Sequence, residues 1–74
     1  MTKAIYTEHY RKLAKKLENS RKEANYTQGE AAKSLKKSQS YISKVEAGQQ
    51  RIDIIELSLF AKLYKKPIDY FHDL

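Results

Sequence analysis

Cysteine is absent, proline occurs once and glycine twice among the 74 residues. Without cysteine there is neither a disulfide framework nor a thiolate metal site, which fits a reducing compartment. No apolar run approaches the roughly 20 residues that span a bilayer. The N-terminal MTKAIYTEHY lacks the apolar stretch of a signal peptide. These absences predict a soluble, cytoplasmic protein with no membrane partner. Valine and threonine are rare and no segment alternates apolar with polar residues, so strands are not expected. His9 and His72 are too far apart in sequence for a metal-binding pair. No Ser/His/Asp arrangement or glycine-rich phosphate loop is visible. The expectation is a protein that is not an enzyme and needs no metal and no cofactor.

What is present is basic and helical. The net charge is +6, with 15 Lys and Arg against nine acids. Residues 1–26 carry seven cations against three acids and residues 27–48 four against two, whereas residues 49–74 balance at four each. A basic two thirds of a chain suits a polyanion, nucleic acid before an anionic membrane face. The length predicts a single domain, residues 1–74, with residues 1–6 as an N-terminal extension and one small core.

Helix follows helix. Tyr6, Tyr10, Leu13, Leu17 and Ala24 share one face of a long first helix, which Asn25 can end in the left-handed conformation. Thr27-Gln28-Gly29-Glu30 is a capping box, opening a short second helix that buries Ala31, Ala32 and Leu35. Ser38 caps a third helix and Gly48 ends it. Asp53 and Glu56 form another capping box, with Ile52 and Leu57 placed for a hydrophobic staple, and this fourth helix runs to about Tyr64. Pro67 starts a short fifth helix. The fold class is all-α, five helices in a compact domain.

Only Lys36 and Lys37 separate Leu35 from Ser38, so the second and third helices turn sharply against each other. Ile42 and Val45 anchor the third helix to the small side chains of the second. Gln39, Ser40, Ser43 and Lys44 then face outward at i, i+1, i+4 and i+5. A helix fits the major groove of DNA, where amide, hydroxyl and ammonium groups meet base edges. Thr27, which caps the second helix, and Gln28 beside it are placed at a helix N-terminus for a phosphate. Gln49, Gln50 and Arg51, in the loop beside the third helix, are candidates for the DNA backbone. Tyr41 either packs against the second helix or sets its hydroxyl on a phosphate.

From about Leu13 to Phe71 the chain resembles the lambda-repressor and Cro-like helix-turn-helix regulators, the XRE type. The resemblance rests on TQGEAAKSL, on SQSYISKVEAG and on IDIIELSLFAKLYKKPIDYF. It implies a five-helix fold with the helix-turn-helix at helices two and three, binding double-stranded operator DNA to regulate transcription. It implies base reading by Gln39, Ser40, Ser43 and Lys44, a phosphate contact by Gln28, and an internal ion pair between Arg21 and Glu46. Lys36 stands where the family's turn usually has glycine, and Lys65 where one follows helix four. Either Lys36 accepts a positive φ, at a cost of roughly 1 kcal/mol, or the turn differs.

The fourth helix is apolar on two sides. Leu57, Phe60, Ala61 and Tyr64 suit the core; Ile55, Leu59 and Leu63 form a second stripe. The second stripe is read as a homodimer contact, joined by Ile68, Tyr70 and Phe71. The expectation is a sequence-specific repressor that binds a near-palindromic operator as a homodimer and blocks promoter access. One alternative is an antitoxin-type module whose stripe binds a toxin or another protein partner. Another is a restriction-modification controller.

Overall fold

In the computed structural model, which describes residues 8–72, every regular element is an α-helix. The order is α1 (Glu8–Glu23), α2 (Gln28–Leu35), α3 (Gln39–Glu46), α4 (Ile54–Tyr64) and α5 (Ile68–His72). The N-terminal extension and Tyr6 lie outside the described residues. No described helix is long and apolar enough to cross a membrane.

Both expected capping boxes form. Thr27 Oγ1 accepts the Glu30 N–H at 3.0 Å, and the Glu30 carboxylate accepts the Thr27 N–H at 2.9 Å. Asp53 and Glu56 repeat the exchange at 2.8 and 3.0 Å. Ser38 caps α3 by accepting the Tyr41 N–H at 3.1 Å. Pro67 sits one residue ahead of the expected position and accepts the Tyr70 N–H at 3.0 Å through its carbonyl.

Four helices end in the same way. Asn25, Lys36, Gly48 and Lys65 all have positive φ, between 58° and 74°. After α2, the Lys37 N–H reaches back to the Ala32 carbonyl at 2.8 Å and the Lys36 N–H to that of Lys33 at 3.2 Å. The same pair of bonds closes α1, α3 and α4, which is the Schellman arrangement. Lys36 therefore accepts the positive φ, and the turn forms without glycine.

The core lies where the five helices meet. Ala31 and Ile42 are fully buried, so small side chains on α2 let α3 approach closely. Leu17 of α1, Phe60 and Tyr64 of α4 and Phe71 of α5 close the cluster. Leu13, Ala24, Leu35 and Ile52 pack at its edge. Ala14 and Ser20 of α1 are also buried, beyond the face that the sequence pattern indicated.

One aromatic expectation is corrected. Phe71 was expected at a subunit contact, yet it is 1% exposed and part of the core. Tyr70 meets it edge-on at 5.1 Å and lies between the ammonium groups of Lys16 and Lys66, at 4.8 and 4.9 Å from its ring centre. Ile68 and Leu63 likewise pack against the core within the chain.

Candidate nucleic-acid interface

Ile42 and Val45 pull one side of α3 into the core, and the helical period then turns Gln39, Ser40, Ser43 and Lys44 outward. All four are exposed. An α-helix with its side chains is about 10–12 Å across, close to the width of a major groove. The N-terminus of α2 flanks this face. A methyl group at Gly29 would stand 3.8 Å from Gln39 Oε1, so the start of α2 and the start of α3 form one continuous surface. Exposed Thr27 and half-buried Gln28 lie on it.

Beneath that surface is an ion pair. Arg21 Nε donates to Glu46 Oε2 at 2.7 Å and a terminal guanidinium nitrogen donates to Oε1 at 3.1 Å. The other terminal nitrogen donates to the Tyr26 carbonyl at 2.8 Å. The bond to Glu46 outweighs desolvation and raises the Arg21 pKa. The two side chains are 10% and 6% exposed, so α1 is tied to α3 out of water. Gln28 joins them, its Nε2 donating to Glu46 Oε1 at 3.1 Å. Gln28 thus has one amide hydrogen committed inward, a bond the sequence did not disclose.

The arrangement is a helix-turn-helix with its second helix uncovered. A family model for the HTH_3 helix-turn-helix matches residues 17–71, from the middle of α1 through Phe71. The chain belongs to the lambda-repressor and Cro-like, XRE-type helix-turn-helix family. It is accordingly a DNA-binding regulator. A search among curated proteins finds no significant match.

In this helix-turn-helix domain the loop after α3 is held by a residue that sequence reading assigned only to packing. The Tyr10 hydroxyl donates to the Gln50 carbonyl at 2.8 Å and accepts the Ile52 N–H at 2.6 Å. Burial raises the pKa of that hydroxyl. The loop therefore hangs from the first helix, with Gln49 and Arg51 exposed and Gln50 half-buried. Gln49 also donates its N–H to the Lys44 carbonyl at 2.9 Å, and Gln50 Nε2 bonds the Arg51 carbonyl at 3.1 Å. Nothing in the spacing of Tyr10 distinguished a clamp from a core aromatic.

Tyr41 resolves toward packing. Its ring stacks on Phe60 of α4, centroids 6.4 Å apart, with the Lys37 ammonium over it at 4.9 Å. Its hydroxyl is buried beside Glu56 without a well-formed hydrogen bond, and burial pushes its pKa up. A buried hydroxyl is not presented to a phosphate. On α4 the exposed apolar residues are Ile54, Ile55 and Leu59, at 63%, 66% and 47%. Of the second stripe, Ile55 and Leu59 are exposed as expected and Leu63 is half-buried, while Ile54 is exposed about 100° round the helix from Ile55.

Proposed function

We propose that the protein is a transcriptional repressor that acts in the cytoplasm and binds a near-palindromic operator as a homodimer. Gln39, Ser40, Ser43 and Lys44 read base edges, while Thr27, Gln28, Gln49, Gln50 and Arg51 hold phosphates of the flanking strands. The carrying observation is the outward face of α3, four exposed polar side chains on a helix whose other side is fixed in the core. Ser40 and Ser43 are short enough to let the helix axis approach the groove floor, and Gln39 and Lys44 supply the longer reach.

The apolar patch on α4 supports the dimer. The long dimension of the domain is 33 Å. On a near-palindromic site two equivalent helices lie about 34 Å apart, one turn of DNA, a span of the same order as that dimension. Ile54, Ile55 and Leu59 would be covered at the two-fold axis. A dimer on two adjacent major grooves occludes the DNA beneath it, which is the basis for repression.

Selection of bound sequences from a random duplex pool tests this reading. A two-fold symmetric motif is expected. Gln39→Ala and Lys44→Ala should each lose about 1–3 kcal/mol of discrimination at their own base positions. If both variants discriminate as well as the parent, α3 is not the reading element.

A further inference from the structure

Helix α1 carries a charge pattern that the proposed α3 contact does not use. Arg11, Lys15, Glu18 and Lys22 recur at steps of four, three and four, so they share one flank. Lys12 lies about 100° further round the axis. Lys16 is on the far flank, where its ammonium donates to the Tyr70 carbonyl at 2.7 Å. The first flank meets the end of α3. There Arg11, Ala14, Lys15 and Glu18 face Glu46, Ala47 and Gly48 across an open depression of about 270 Å³.

The depression adjoins the reading face. Ala47 is exposed and follows Ser43 by four residues, so it continues the line of Gln39 and Ser43. Each of the two carboxylates lining the depression has a cationic partner outside it, Arg21 for Glu46 and Lys22 for Glu18. Glu46 is bound by Arg21 at 2.7 Å. Glu18 is bound by Lys22 at 3.1 Å and Lys15 at 3.6 Å, which lowers its pKa chiefly through the Lys22 hydrogen bond. The flank keeps three cations against one carboxylate, and Arg11 has no hydrogen bond or ion pair among the described residues. The two walls hold together because Tyr10, one residue before Arg11, bonds the loop on both sides of Arg51.

We infer that Arg11 and Lys15 form a phosphate-binding site that takes the DNA backbone at the end of the α3 face, making α1 a third element of the interface. This rests on the reading of α3 as the groove helix, since that pose brings a strand past Ala47 and over the depression. A phosphate there would meet a planar guanidinium and a mobile ammonium from one side, a charge contact indifferent to sequence.

The test compares three neutralisations on one helix. Arg11→Gln, Lys15→Gln and Lys12→Gln change net charge equally, but Lys12 is off the flank. Affinity is measured against salt concentration for the selected operator and for an unrelated duplex of equal length. Melting temperatures check that the exposed substitutions leave the fold intact. Arg11→Gln and Lys15→Gln should each reduce the salt slope by about 0.9 and weaken both duplexes about fivefold at 0.15 M salt. Lys12→Gln should do much less, and Arg11→Lys should retain the slope. If Lys12→Gln weakens binding as much as the other two, only net charge matters and the α1 site is refuted. If the parent binds the operator but no variant differs from it, the site is refuted while the α3 reading stands. If the parent binds neither duplex, both fall together.

Discussion

Removing one partner of the Arg21–Glu46 pair should cost a large share of the domain's stability. The carboxylate of Glu46 accepts three hydrogen bonds, two from Arg21 and one from Gln28. In Glu46→Gln one oxygen becomes an amide nitrogen that cannot accept. Whichever way that amide turns, at least one donor is stranded and the guanidinium loses its counter-charge. Hydrogen bonds to charged groups contribute about 1.5–3 kcal/mol each, so a loss of about 3 kcal/mol is expected. Arg21→Met leaves a carboxylate only 6% exposed with the Gln28 amide alone, and about 3–5 kcal/mol is expected. A domain of this size has roughly 4–11 kcal/mol in total. The double variant removes both charges and should be less destabilised than the sum of the singles by about 2 kcal/mol or more. Urea melts at pH 7 measure this cycle; guanidinium salts would screen the pair. Additivity within about 0.5 kcal/mol would refute a direct interaction.

Leu59→Glu should weaken dimerisation at least a hundredfold, since a carboxylate buried in an apolar contact costs about 3 kcal/mol or more; sedimentation of parent and variant reads it, and a variant that still dimerises places the interface elsewhere. Lys36→Gly and Lys65→Gly should each stabilise the fold by about 0.5–1 kcal/mol, because left-handed backbone strains a side chain and the gain is only partly offset by a looser unfolded chain; an unchanged denaturation midpoint in both would refute the strain. Tyr64→Phe should stabilise at neutral pH by about 1 kcal/mol, since its buried hydroxyl has no hydrogen-bond partner. Burial also raises that hydroxyl's pKa, with Glu46 the next cause. The folded chain therefore holds its proton longer than the unfolded chain, and stability should fall as pH rises above about 10. Tyr64→Phe should lessen that alkaline loss, as read by melting temperature between pH 8 and 11.

The helix-turn-helix was legible because its signals are local. A capping box fixes where α2 starts, Ser38 fixes where α3 starts, and two lysines leave no room for anything but a sharp turn. Once Ile42 and Val45 are known to be inside, the outward residues of α3 follow from the helical period alone. The second stripe on α4 was less legible because rows at i, i+4, i+8 drift about 40° per step on a helix of 3.6 residues per turn. By Leu63 the row has rotated some 80° from Ile55, which brings that side chain round to the core. Phe71 was misplaced for a different reason. A five-residue helix has too few turns for a periodic face, so its buried side is set by where α1 and α4 leave space. The Tyr10 clamp and the Gln28–Glu46 bond join residues 40 and 18 positions apart, and no pattern of side-chain types at such separations specifies a contact.

These contacts also bear on why charge is buried in so small a domain. An apolar pair of similar volume in place of Arg21 and Glu46 would often be as stable or more so. What such a pair could not do is accept a hydrogen bond from Gln28. A carboxylate has no hydrogen to donate, so the Gln28 amide must turn its nitrogen inward. That leaves its second N–H beside the N-terminus of α2, where helical N–H groups already favour an anion. The same carboxylate, through Arg21, reaches the Tyr26 carbonyl one residue before the α2 cap. One buried charge on α3 thus fixes both the segment that leads into α2 and the first side chain of α2. An apolar replacement that preserved the melting temperature would free the Gln28 amide, and the loss should appear in DNA affinity rather than in stability.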